Sequence, residues 1–155
     1  MSKQKVRRLL IIDDDPEECM IFQEALQQID NTISFLCIND ALKVVGITND
    51  FKPDLIFTDM SLPGISGLEC LSILKQSHPD VPVVVYSGSC YKALTDNAYE
   101  QGADLVFEKP DTFASLVSGL RMLLNINWAD KESIKKKYNG MIIKLSVSND
   151  QKRTG

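Results

Sequence analysis

Carboxylates, a hydroxyl and an ammonium recur in this chain at one kind of place, directly after a short apolar run. Leu9-Leu10-Ile11-Ile12 runs into Asp13-Asp14-Asp15, and Leu55-Ile56-Phe57-Thr58 into Asp59. Val83-Val84-Val85-Tyr86 runs into Ser87, and Leu105-Val106-Phe107-Glu108 into Lys109-Pro110. Apolar runs of this length, separated by helical patterns, read as buried parallel strands. Parallel strands end on one edge of their sheet, so these polar residues converge there, where open α/β sheets bind ligands. Clustered carboxylates without a cation would repel one another and hold raised pKa values. The arrangement therefore implies a divalent ion, and an all-oxygen donor set favours Mg²⁺.

The elements that must hold these groups follow from local signals. Val6 to Ile12 reads as the first strand. Asp15-Pro16-Glu17-Glu18 starts a helix: Asp15 caps, Pro16 suits the first turn and the glutamates complement the dipole. Cys19, Phe22, Leu26 and Ile29 give that helix an apolar face. A second strand spans Ile33 to Ile38, followed by a short helix from Asp40 to Ile47. The third strand opens at Pro53-Asp54 and ends at Asp59. Leu62-Pro63-Gly64-Ile65-Ser66-Gly67 is a turn-rich loop before a helix carrying Leu68, Leu71 and Leu74. Pro79 and Pro82 bracket the entry to the fourth strand; a helix around Leu94 and Ala98, then Gly102, lead to the fifth. Phe113, Leu116, Val117, Leu120 and Leu124 line a final helix. Five strands alternating with five helices predict a doubly wound α/β domain with helices on both faces of a parallel sheet.

A chain of 155 residues, 44% hydrophobic, fits one globular domain. Net charge is −4, which gives no general attraction to nucleic acid. The balance is uneven: +4 from Asp130 onward and −8 before it. Residues 1–128 therefore read as the domain and residues 129–155 as a basic C-terminal extension, partly disordered. Trp128 reads as a packing anchor just before that extension, within which Met141 to Val147 could add a strand and Ser148 to Gly155 is polar. Lys135-Lys136-Lys137 reads as a solvated helix face and His78 as a surface residue. Cys19, Cys37, Cys70 and Cys90 lack metal-ligand spacing and read as reduced thiols. The basic N-terminus meets only four apolar residues before the acids, and no apolar stretch reaches the length of a bilayer span, about 18 residues. A cytoplasmic location without membrane contact is expected.

Taken together, Leu10-Ile11-Ile12-Asp13-Asp14, Asp59-Met60-Ser61-Leu62-Pro63-Gly64-Ile65-Ser66-Gly67, Ser87-Gly88 and Lys109-Pro110 resemble the receiver domain of two-component response regulators. The resemblance covers about Val6 to Leu124. It implies a flavodoxin-like sheet of five strands in the order 2-1-3-4-5. It also implies that Asp59 is the phosphoacceptor, attacking a phosphohistidine on a histidine kinase or phosphotransfer protein. Asp13 and Asp14 would hold Mg²⁺ with Asp59 and the backbone carbonyl of Ser61. Ser87 would hydrogen-bond the phosphoryl group and Lys109 would pair with it. Phosphoryl transfer is assisted by such positioning and charge neutralisation. In the family the bond between Lys109 and Pro110 is usually cis, a state largely confined to proline.

One position departs from the family pattern. The residue three before Lys109, often aromatic, is Val106; Phe107 beside it should face the other way along the strand. The family's aromatic–hydroxyl switch is then not expected in its common form. Ser87 stands where threonine is frequent and keeps the hydroxyl. Phosphatases of the haloacid-dehalogenase type share a strand-end Asp, Mg²⁺, a hydroxyl and a Lys, but Pro16 and Glu17 break their first-strand pattern. A dinucleotide-binding domain is excluded by the missing glycine-rich first turn. The expected function is a non-enzymatic phosphoacceptor of a phosphorelay, monomeric or weakly dimeric, acting through protein contacts. The alternative is a phosphorylation-independent interaction module of the same fold.

Overall fold

Every residue of the strands β3 (Leu55–Thr58) and β4 (Val83–Ser87) is buried, and that requires cover on both faces. They lie in the middle of one parallel sheet with β1 (Arg8–Ile12), β2 (Ser34–Ile38), β5 (Leu105–Glu108) and β6 (Ile142–Ile143). The order is β2-β1-β3-β4-β5-β6. The computed structural model describes residues 5–62 and 64–145.

Alternate residues of each strand enter opposite cores. Leu9, Ile11, Phe57 and Phe107 pack beneath α1 (Pro16–Ile29) and α5 (Phe113–Leu124), against Phe22, Leu26, Leu116 and Leu120. Leu10, Ile12, Ile56 and Val106 pack on the other face with residues of α2 (Val44–Phe51), α3 (Gly67–Ser77) and α4 (Lys92–Glu100), including Val44, Leu71, Leu74 and Ala98. Full burial of one such aliphatic or aromatic side chain contributes roughly 1.5–3 kcal/mol, so register errors that swap the faces are strongly disfavoured. The helix starts follow their caps. Asp15 accepts from the Glu17 amide, Ser66 from Glu69 and Thr112 from Ser115.

The sheet has six strands where five were expected. β6 adds in parallel to β5, with Val106 opposite Ile142 and Phe107 opposite Ile143. An open β5 edge would expose unpaired backbone groups, and the last residues of the chain's described part cover it. The connection runs through Trp128 and α6 (Lys131–Tyr138). Trp128 is buried, its indole N–H donating to the Leu123 carbonyl at 3.0 Å. Trp128, Ile134 and Ile143 join the core that contains Leu9 and Phe57. Lys135, Lys136 and Lys137 are exposed, as a solvated face requires. The anticipated strand from Met141 to Val147 shrinks to two residues, and Val147 and the polar stretch Ser148–Gly155 lie outside the described residues.

Three smaller expectations change. The anticipated helix from Asp40 is a 3-10 turn over Ala41–Lys43 that leads into α2. His78, expected at the surface, is half-buried at the end of α3, with Nε2 enclosed and without a protein partner among the described residues. The four cysteines are not all thiols: Cys19 and Cys37 form a disulfide, while Cys70 and Cys90 are free. The helical face of α1 carries Cys19 over the end of β2, a proximity that a linear spacing of 18 residues does not reveal.

Candidate functional site

The polar residues that follow the strands are held as the next rungs of the sheet. The Asp13 amide donates to the Ile38 carbonyl at 3.0 Å, the Asp59 amide to Ile12 at 2.9 Å, and the Lys109 amide to Ser87 at 2.8 Å. These backbone bonds extend the ladder beyond the strands and fix where the Cα atoms of Asp13, Asp59 and Lys109 stand. Asp13, Asp59 and Ser87 are buried, 1%, 6% and 6% exposed, and Asp14 is exposed at the rim. Asp13, Asp14 and Asp59 each bring a carboxylate oxygen within 4.8 Å of the others.

Lys109 reaches in from β5 and joins the acids. Its Nζ donates to Asp59 Oδ2 at 2.8 Å, to Asp13 Oδ2 at 3.2 Å, and to the carboxylate of Glu18. It also lies 5.3 Å from the centre of the Tyr86 ring, within cation–π range. Tyr86 is wedged between Phe57, Phe107 and Phe22, so the stem of the lysine runs over an aromatic floor. Burial works to neutralise Lys109, but its hydrogen bonds to Asp59 and Glu18 outweigh that and raise its pKa. Asp13 is pushed up to about 6, first by burial and then by Glu18, with Lys109 acting in the opposite sense. A pocket with four acids and one ammonium is short of positive charge.

The Asp59 loop is shaped by two contacts. The Ser61 amide donates to Asp59 Oδ1 at 3.0 Å, which fixes the carboxylate's rotamer. A Cβ at Gly67 would lie 2.4 Å from Met60 Cα and 2.8 Å from the Asp59 carbonyl, so only glycine lets α3 begin this close to the acid. On the opposite wall Ser87 has only long contacts within its own loop, 3.4 Å to the Ser89 carbonyl and 3.5 Å from the Ser89 amide. Its hydroxyl makes no contact with the acids or the lysine among the described residues. Val106 and Phe107 are both fully buried on opposite faces, Val106 among the residues packed under α2 to α4 and Phe107 stacked on Tyr86.

Asp13, Asp14, Asp59, Ser87 and Lys109 are thus brought together, with Ser61 on the adjoining loop. The Lys109–Pro110 bond is trans, as are all peptide bonds of the described residues; the lysine reaches Asp59 from that geometry. Glu18 is the pocket residue that local sequence reading missed. Its sequence position speaks only to the helix dipole, yet the first turn of α1 brings its carboxylate to Lys109. Its signal was the short span from Asp13 through a Pro16 helix start, which keeps the first turn beside the pocket. Next to it a hollow of about 410 Å³ is lined by Glu18, Ile21, Tyr86, Lys109, Phe113 and Leu116.

Comparison with known proteins identifies the family to which this fold belongs. The family model described as the response regulator receiver domain matches residues 9–121. The nitrogen assimilation regulatory protein NtrX of Azorhizobium caulinodans is 36% identical over 104 residues, 66% of this chain and 22% of its own length. The DNA-binding transcriptional regulator NtrC of Proteus hauseri is 30% identical over 105 residues, 64% of this chain and 21% of its own. The chain therefore spans about a fifth of the length of these relatives. The response regulator domain of Thermotoga maritima CheB superposes with a TM-score of 0.68 at 25% identity, covering 80% of this chain and 97% of that domain. With the acids, hydroxyl and lysine at the carboxyl edge of a parallel sheet ordered 2-1-3-4-5-6 and a family match over residues 9–121, this chain belongs to the response regulator receiver domains.

Proposed function

We propose that Asp59 accepts a phosphoryl group from a phosphohistidine of a histidine kinase or phosphotransfer protein. The observation that carries this reading is the position of its carboxylate. Asp59 stands between the acids Asp13 and Asp14 on one side and Ser87 and Lys109 on the other, with one oxygen held by the Ser61 amide and the other by Lys109. In the transfer an Asp59 oxygen bonds to phosphorus as the phosphorus–nitrogen bond breaks, and the imidazole leaves with a proton. The new phosphoryl oxygens need donors. Lys109 exchanges a carboxylate for one of them, and the Ser87 hydroxyl turns from its long contact with Ser89 to another. The Ser61 amide keeps the acceptor oriented throughout.

The donor set fits a hard divalent cation: three carboxylates, all oxygen, one exposed and two buried, in a pocket deficient in positive charge. Asp13, Asp14, Asp59 and the Ser61 carbonyl are the groups that would hold Mg²⁺, which would neutralise charge on the phosphoryl oxygens. The reading extends to a non-enzymatic, cytoplasmic signalling module, monomeric or weakly dimeric, whose output is protein contact. Residues 1–128 are taken as its receiver and 129–155 as its extension. The acidic balance of its first 129 residues supports protein rather than nucleic-acid partners for this part of the chain. No helix among the described residues is long and apolar enough to cross a membrane.

Intact mass after incubation with acetyl phosphate and Mg²⁺ tests the assignment. One phosphoryl group is expected on the wild-type chain and none on Asp59→Asn, since a carboxamide is not a nucleophile. Equal labelling of both would move the acceptor elsewhere. No labelling of the wild type, by acetyl phosphate or by a phosphorylated kinase domain, would leave only the interaction-module reading.

A further inference from the structure

Behind the acidic pocket the chain carries a second piece of chemistry that phosphoryl transfer does not use. Cys19 lies on the first part of α1 and Cys37 near the end of β2, with Cα atoms 6.2 Å apart. That separation lies within the range a disulfide spans without moving backbone. Both residues are half-buried, so a small molecule can reach them, whereas Cys70 is fully buried. Both sulfurs also lie 3.9 Å from the same atom, the carbonyl oxygen of Asp13. Two thiols would thus share one acceptor, and the disulfide would replace those two weak donors with a covalent tie.

We infer that Cys19 and Cys37 are a thiol–disulfide site, oxidised by low-molecular-weight disulfides, whose closed form fastens α1 to β2 behind Asp13. The exchange balances as follows. The thiolate of one cysteine attacks a sulfur of the small disulfide, forming a mixed disulfide and releasing one small thiol. The thiolate of the other cysteine attacks the bound protein sulfur, the internal bond forms and the second small thiol leaves. Two protein thiols are oxidised, one disulfide is reduced, and the two thiol protons end on the departing thiols. The closed form ties α1 to β2 beside the Asp13 carbonyl, which lies 3.9 Å from both sulfurs, and Cys19 directly follows Glu18 in the chain. Cys90 does not compete: burial, with Glu108 nearby, raises its thiol to about 11, so little thiolate is present.

The sequence supplies a clean readout, because no Lys or Arg lies between Leu9 and Lys43 and one tryptic peptide, residues 9–43, holds both cysteines. Cys70 and Cys90 fall on other peptides. The full chain, reduced and then exposed in its folded state to glutathione disulfide, is quenched in acid, unfolded, alkylated and digested. Peptide 9–43 is expected without alkyl groups and two hydrogens lighter than the dithiol, and dithiothreitol should restore both alkylation sites. The oxidised chain should also melt roughly 5–10 °C above the reduced one, the scale for a loop of this length in a domain of this size. Two alkyl groups on peptide 9–43 after oxidation would overturn the inference. So would a bond from Cys19 or Cys37 to Cys70 or Cys90, or a melting temperature identical in the two states. None of these readouts depends on phosphoryl uptake, so failure here and failure at Asp59 are distinguishable.

Discussion

The carboxyl edge of the sheet and its β5 edge are built on opposite principles. At the carboxyl edge polar groups are crowded together without enough counter-charge: Asp13, Asp59 and Glu18 all lean on Lys109, and Ser87 is barely engaged. At the β5 edge the polar groups of the described residues meet partners. β6 pairs with β5, the Tyr99 hydroxyl lies 3.1 Å from the Tyr138 carbonyl and 2.7 Å from that of Met141, and Lys144 pairs with Glu108 at 3.2 Å. The first region holds unfavourable electrostatics in reserve for a ligand; the second spends none and stabilises the fold. Functional sites commonly sacrifice local stability in this way, and the surrounding core offsets the cost.

One residue belongs to both regions. Glu108 accepts from the Cys90 amide at 3.2 Å with one oxygen and from Lys144 with the other. It links the loop after Ser87 to the strand that caps the sheet. Val106, in the same strand, is buried and paired with Ile142, so the position three before Lys109 holds a packed aliphatic side chain rather than an aromatic one.

The comparison predicts that substitutions in the pocket change chemistry and either spare or raise stability, while those at the capped edge lower stability and spare the chemistry. The largest effect is at Asp59→Asn, which should abolish phosphoryl labelling while urea unfolding keeps its wild-type slope; a lost cooperative transition would break the contrast. Next is Trp128→Ala, which should cost about 3–4 kcal/mol in the same unfolding assay yet leave labelling intact at temperatures where the chain is folded. Loss of labelling from a chain that is still folded would mean that the cap and the pocket are one unit.

The third prediction concerns Asp13 in metal-free protein. Its folded pKa, about 6, lies above the ordinary value of 3.8. The folded state therefore binds the proton more tightly, and stability falls as pH rises from about 4 through 6. Asp13→Asn removes that loss. At pH 7.5 it should be more stable than wild type by about 1–2 kcal/mol, reduced from the full linkage value because water reaches the pocket mouth. The gain should vanish near pH 4. A constant difference across this range would show that the carboxylate's charge is already compensated. The smallest effects belong to the cap. Tyr99→Phe should cost about 1 kcal/mol and Lys144→Ala no more than about 0.5 kcal/mol, since the lysine is largely exposed. Both should speed amide exchange at Ile142 and Ile143 while leaving Leu10 and Ile56 protected.

Much of this protein is set by its sequence acting locally. Buried strands announce themselves as apolar runs, parallel strands must end on one edge, and so the sequence alone puts Asp13, Asp59, Ser87 and Lys109 together. Asp15 could be read as a cap and Val106 and Phe107 as facing opposite ways, because those follow from the geometry of a single helix or strand. What only the tertiary structure decided are meetings between residues on different elements. Lys109 touching Glu18, α3 starting against Met60 at Gly67, Cys19 over Cys37, and Ile142 beside Val106 depend on helix packing and crossover paths. The β6 pairing leaves the faintest local trace, since two residues carry almost no period. A strand that short is held by the edge it covers rather than by its own composition, and that edge exists only once the other five strands have assembled.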